Sequence, residues 1–148
     1  MDKKEKDKKI MLYLIKKLGG NIEGKKKLMK LMFLLEHYDF SEGKLTKNYS
    51  IGNYFNIYHY GVFSREVQIC FDELFSEGKI KNDFPLTTNE DVDLSDIEQN
   101  ITEKIDKVIT KFGDKTGYYL EVETLRMMGI EPSEKEKFFG KNVSELIK

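Results

Sequence analysis

Few side chains in this sequence are suited to catalysis. His37 and His59 are its two histidines and Cys70 its one cysteine. Neither histidine stands at a metal-ligand spacing from a second His or Cys, so no metal site is expected. Glu36 and His37 are neighbours and leave a helix on different faces, with Asp39 two residues on, so a half-buried polar histidine at a helix end is the expectation. Cys70 falls on the apolar side of a helical repeat, which predicts an inert core thiol rather than a low-pKa nucleophile. The sequence has no phosphate-cradling glycine loop, no G-x-S-x-G and no H-E-x-x-H. A charged surface helix accounts for the carboxylates of GIEPSEKEKFFG. The expectation is a chain that is not an enzyme and uses no cofactor.

Binding chemistry is better represented. Lys3, Lys4, Lys6, Lys8, Lys9, Lys16, Lys17 and the run Lys25, Lys26 and Lys27 give the head of the chain cations that could hold phosphates. A Lys-rich helix face is ordinarily just solvated, but Lys25 to Lys27 oppose the dipole at a helix start and so stand out. Within YHYGVFSREVQICFDELFSEGKI (Tyr58 to Ile80), the polar face from Ser64 to Glu77 carries Arg65, Glu66, Gln68, Asp72, Glu73, Ser76 and Glu77. Only Arg65 and Gln68 suit the reading of base edges, whereas Glu66, Asp72, Glu73 and Glu77 repel phosphate and suit a basic protein. Lys79 and Lys81 follow, and beyond them stand Asp83, Glu90, Asp91 and Asp93. The aromatic stripe YFNIYHY (Tyr54 to Tyr60) reads first as strand core and second as a stacking platform for single-stranded nucleic acid.

Helices and turns must position these groups. Ile10, Met11, Leu14, Ile15 and Leu18 recur at i, i+3 and i+4 spacing, predicting a helix over about Lys4 to Leu18 that Gly19 and Gly20 end. From Gly24 to Tyr38 the apolar residues are dense enough for a helix buried on several sides, the expected centre of the core. Ser41, Glu42 and Gly43 read as a turn. Tyr54 to Tyr60 reads as an extended segment broken by Gly61. Ser64 is placed to cap a helix whose apolar face is Val67, Cys70, Phe71, Leu74 and Phe75, with Gly78 as its left-handed stop. Lys79 to Lys81 then form a short strand, and Asn82 to Asp96 a loop or the outer part of a β-hairpin. Ser95 with Glu98 reads as a capping box for a helix carrying Ile97, Ile101, Ile105, Val108 and Ile109. A turn at Phe112 to Lys115, a helix over Tyr118 to Met128 and a short one from Pro132 complete the reading.

At 148 residues with 39% apolar and 34% charged residues, the chain is expected to fold as one compact globular domain. Its net charge of −1 conceals a gradient: the head to Lys30 sums to +7, residues 31 to 82 to −2 and the remainder to −6. Such a dipole can steer the head toward nucleic acid, an acidic protein or the tail of a second copy. The apolar run Ile10 to Ile15 is far shorter than the ~20 residues a bilayer requires, so neither a membrane span nor a signal peptide is expected. A lone cysteine suits a reducing cytoplasm.

The order helix, helix, extended segment, capped helix, glycine, strand and loop is that of a winged helix with added C-terminal helices. The expected fold is therefore mostly α with a small β-hairpin (α+β): a winged-helix-like core over 1–94 and a helical extension over 95–148 in the same compact domain. KLMKLMFLLEHYDF (Lys27 to Phe40), YHYGVFSREVQICFDEL and FSEGKIK resemble archaeal winged helix-turn-helix regulators with a K-L-x-K-L-x-F-L helix and a Y-x-Y-G-P-[YF]-S turn. The chain is more loosely similar to the Panacea or SocA-like antitoxin domain, whose late segment is matched by FGDKTGYYL. Val62 stands where these families usually have Pro. The resemblance spans roughly Lys27 to Leu125 and implies a regulatory or protein-binding module. The expectation placed first is a DNA-binding transcriptional regulator, a homodimer, that grips DNA through Lys16, Lys17, Lys25, Lys26, Lys27, Arg65, Gln68, Lys79 and Lys81. The alternative is an adaptor or antitoxin-like module that holds a basic protein through Glu66, Asp72, Glu73 and Glu77.

Overall fold

Asp2 starts the first helix, α1 (Lys3–Leu18), by accepting from the Glu5 N–H at 2.8 Å, and Gly19 ends it in the left-handed region at φ 43°. This computed structural model describes residues 1–81 and 84–148. The second helix, α2 (Lys25–His37), buries every side chain from Lys27 to His37 and forms the centre of the core, as its crowded apolar spacing predicts. Two antiparallel hairpins follow. The first joins β1 (Tyr38–Asp39) to β2 (Lys44–Leu45), and the second joins β3 (Asn56–Tyr58) to β4 (Gly61–Phe63) with Ile57 opposite Val62. Helix makes up about 52% of the chain, so the fold is α+β with a helical majority.

The third helix, α3 (Arg65–Ser76), begins where Ser64 Oγ accepts from the Val67 N–H. It ends in a Schellman arrangement, with Lys79 N–H donating to Leu74 O and Gly78 N–H to Phe75 O. Val67, Cys70, Phe71 and Leu74 are buried as expected, but Phe75 is 52% exposed. Successive helical residues turn by about 100°, so Phe75 lies beyond Phe71, which forms that edge of the buried arc. Among the described residues, the expected strand and hairpin after Gly78 reduce to one bridge between Lys81 and Thr87. Asn82 and Asp83, the first residues of that expected loop, lie outside the described residues. The chain's hairpins stand before α3 rather than after it, because Gly61, at φ 85°, opens a returning strand instead of only ending one.

Helix α4 (Gln99–Phe112) starts later than the expected capping box, with Glu98 as its N-cap. The Asp93 carboxylate accepts from both Ser95 N–H and Ser95 Oγ, which keeps Ser95 in a turn. Helix α5 (Gly117–Met127) is capped by Thr116 and is followed by 3₁₀ turns at Pro132–Phe138 and Val143–Glu145. The C-terminal segment then borders β3: Ile57 N–H donates to Lys141 O, Gly140 N–H to Ile57 O and Val143 N–H to Phe55 O. One apolar cluster runs through all five helices, with α4 and α5 packed on α2, so residues 95–148 share the core of 1–94. No described helix is long and apolar enough to cross a membrane.

Candidate binding cleft

The charged head and the acidic helix meet each other. Lys3 Nζ lies 3.0 Å from Glu66, Lys4 Nζ 2.9 Å from Glu73, and Lys8 Nζ 3.0 Å from Glu73 and 3.3 Å from Glu77. Lys6 pairs with Glu98 and Lys9 with Asp96, at the start of α4. Hydrogen bonds from Lys4 and Lys8 hold the Glu73 carboxyl below its ordinary range, as one from Lys6 does for Glu98. Glu66 also accepts from the Tyr54 N–H at 2.8 Å. Asp72, the fourth acid predicted to hold a basic partner, accepts from Gln68 Nε2 at 2.8 Å.

The lysine run divides in the same way. Lys27 is 2% exposed, and its ammonium donates to Asn21 O and Gly113 O at 2.6 Å, fastening the α1–α2 loop to the end of α4. Burial pulls its pKa down against the pull of Glu23 and Asp114. Its expected role on phosphate is therefore corrected: a lysine spent on two buried carbonyls is not a surface cation. Lys26 Nζ reaches Glu121 on α5 at 2.6 Å and lies over the rings of Tyr60 and Tyr118. Burial raises the Glu121 carboxyl, but Lys26 and Lys135 outweigh it and leave the group below its ordinary value. Lys25 is exposed, 5.7 Å from the centre of the Phe71 ring.

A cleft opens where the start of α2, the first turns of α3 and the β3–β4 hairpin converge. It holds about 720 Å³ and is lined by Lys30, Tyr58, Tyr60, Val62, Phe63, Arg65, Gln68, Ile69 and Asp72, among others. A side lobe of about 350 Å³ adds Lys25, Lys26 and Met29. Lys30 is 2% exposed and donates to Val62 O at 2.9 Å, tying α2 to the hairpin. Burial pushes its pKa down to about 7 despite the Glu121 charge. Tyr60 is 68% exposed and Tyr58 44%, whereas Phe55 and Ile57 are fully buried. The aromatic stripe therefore alternates, half core and half surface, as a strand must.

Buried polar groups fix the hairpin that forms this wall. Glu36 accepts from the N–H groups of Ile51, Gly52 and Asn53 at 2.6, 3.0 and 2.8 Å. Asn53 in turn bonds Asp7, and Lys3 bridges both. His37, expected to be half-buried, is fully buried; it donates from Nδ1 to Thr46 O and packs against Phe33 and Tyr49. Burial raises the Cys70 thiol to about 11, in keeping with a core thiol.

Of the residues expected to touch DNA, Lys25, Lys26, Arg65 and Gln68 gather at the cleft. Lys16 and Lys17 sit exposed at the far end of α1, and Lys79 and Lys81 beyond α3, all apart from the cleft lining. Sequence reasoning passed over Lys30 and Phe63. A lysine inside an otherwise apolar helix was the available signal for Lys30, and the alternation of Tyr58 and Tyr60 with Ile57 was the signal for the aromatic wall. No protein family, curated protein or solved structure matches this chain.

Proposed function

We propose that this chain is a non-enzymatic protein-binding module that receives a segment of its partner in the cleft between α2, α3 and the β3–β4 hairpin. One observation carries the reading: Lys3, Lys4 and Lys8 of α1 and Glu66, Glu73 and Glu77 of α3 are consumed by each other, while exposed tyrosines line a concave, largely apolar site. Interfaces draw their energy from aromatic and Arg anchors in such pockets, not from rim charges already paired. The resemblance to an antitoxin domain points the same way, but its expected acidic surface is replaced by the cleft. A photo-crosslinking residue at position 60, compared with one at exposed Lys137, tests this in cells of the source organism. A discrete protein adduct at position 60 alone is expected; equal labelling at both positions, or none at 60, would overturn it.

The regulator reading retains its own observation, since Lys25, Lys26, Arg65 and Gln68 share one site. It requires affinity for duplex DNA that falls steeply with salt and is lost in Lys25→Glu with Arg65→Glu. Lys3, Lys4, Lys6, Lys8 and Lys9 of α1 are engaged by Glu66, Glu73, Glu77, Asp96 and Glu98, while Lys16 and Lys17 stand exposed at its far end, so the electrostatic face it needs is interrupted.

A further inference from the structure

Cations dominate the chemistry of this cleft. Lys25 is exposed at the side lobe, Arg65 is exposed on the wall, and Lys30 reaches the floor from inside α2. Lys26 is already held by Glu121, and the lining acid Asp72 is held by Gln68. Between the charges stand Tyr60, Phe63 and Ile69, surfaces that take an apolar side chain and not a hydrated one. Among the described residues Lys30 makes one hydrogen bond, to Val62 O, whereas an ammonium carries three donors. A carboxylate brought to this floor would find donors in a poorly solvated site, where charge-assisted bonds are strong. A volume of about 720 Å³ suits a short peptide stretch. A duplex approaching the same site would set its phosphates beside Asp72 and the acidic face of α3.

Resting on the protein-binding reading above, we infer that the occupant of the cleft is an acidic segment of a partner protein. It sets a carboxylate toward Lys25 and Lys30 and an aromatic or aliphatic side chain against Tyr60 and Phe63. Charge complementarity selects this class: a basic segment would face Lys25, Lys30 and Arg65 together, and a neutral one would leave the Lys30 donors unused. The charged groups facing Lys30 are Glu121 from α5, Lys26 from its own helix and Lys135 from the turn after α5, with His59 on the hairpin wall. An arriving carboxylate favours the ammonium form of Lys30, so binding above neutral pH takes up a proton.

Selection of a random dodecapeptide display library on the full chain provides the test. The enriched peptides should be net acidic and carry an aromatic or large aliphatic residue. A chosen peptide should lose about tenfold or more in affinity when its Asp and Glu become Asn and Gln, and again when the protein carries Lys25→Ala with Arg65→Ala or, separately, Tyr60→Ser. All three positions are exposed, so folding is expected to be preserved. Calorimetry at pH 8 in two buffers of different ionisation enthalpy should register proton uptake that disappears in Lys30→Met. Neutral or basic winners, amide-substituted peptides that bind equally well, or no enrichment would overturn the acidic occupant. If position 60 still crosslinks a protein in cells, the protein-binding reading survives that failure. If a mixed duplex binds instead and competes with crosslinking, both fall.

Discussion

Lys30 and Glu36 are charges inside the core, and they reach opposite solutions. The Glu36 carboxylate accepts from three backbone N–H groups, which satisfy its buried oxygens. Replacing it with Gln leaves one acceptor and turns an NH₂ group on donors; a loss of about 2–4 kcal/mol is expected in urea denaturation, with faster hydrogen exchange at Ile51, Gly52 and Asn53. Lys30 has a carbonyl but, among the described residues, no carboxylate in ion-pair contact, so burial outweighs the more distant Glu121 charge and its folded pKa falls from 10.5 to about 7. Between these values the unfolded chain holds a proton that the folded chain lacks, so this group makes stability rise with pH across about 7 to 10.5, and its penalty is fully present below 7. Lys30→Met should flatten that rise and raise the melting temperature at pH 6, read by thermal denaturation across pH. A melting profile whose slope is unchanged would assign the pH response to Lys27 and Lys104, whose pKa values are also lowered by burial.

At the scale of elements, apolar spacing and end signals agreed for α1 and α3, and these helices, with α2 and α5, stand where the sequence puts them. The start of α4 was less legible because Asp93 captures Ser95, the expected cap, before it can cap a helix. The hairpin β3–β4 depends on Gly61, whose φ of 85° and close approach to Glu121 leave no comfortable place for a Cβ. Gly61→Ala is expected to lower stability by about 1–2 kcal/mol, measured by denaturation, and to weaken the cleft wall. The ion pairs between α1 and α3 lie at the surface and are partly solvated, so they orient the two helices more than they stabilise them. Lys8→Glu should therefore lower the melting temperature modestly at low ionic strength, a difference that shrinks in concentrated salt.

For the molecule as a whole, the gradient from +7 at the head toward −6 at the tail suggested a partner, and folding satisfies much of it internally. Binding to mixed-sequence duplex is accordingly expected to be non-specific, no tighter than about 10⁻⁵ M near 0.15 M salt. Its salt slope should stay below about 6 in magnitude, because the exposed cations Lys16, Lys17, Lys25, Arg65, Lys79 and Lys81 are scattered. Fluorescence anisotropy over a salt series checks this, and nanomolar affinity with a steep slope would restore the regulator reading.

The sequence by itself determined the α+β class, the helices with a single buried face, the Ser64 cap and the Gly78 stop, because those depend on interactions within a few residues. It also isolated Arg65 and Gln68 as the exceptional pair on an acidic face. Only the tertiary structure decided which charges remain for a partner. Lys27 and Lys30 look like Lys25 and Lys26 in a one-dimensional reading, yet two of them point inward to Gly113 and Val62. Lys4 lies 69 residues from Glu73, and Lys8 lies 69 residues from Glu77. Pairing across that separation follows from how α1 packs on α3, which local spacing does not encode.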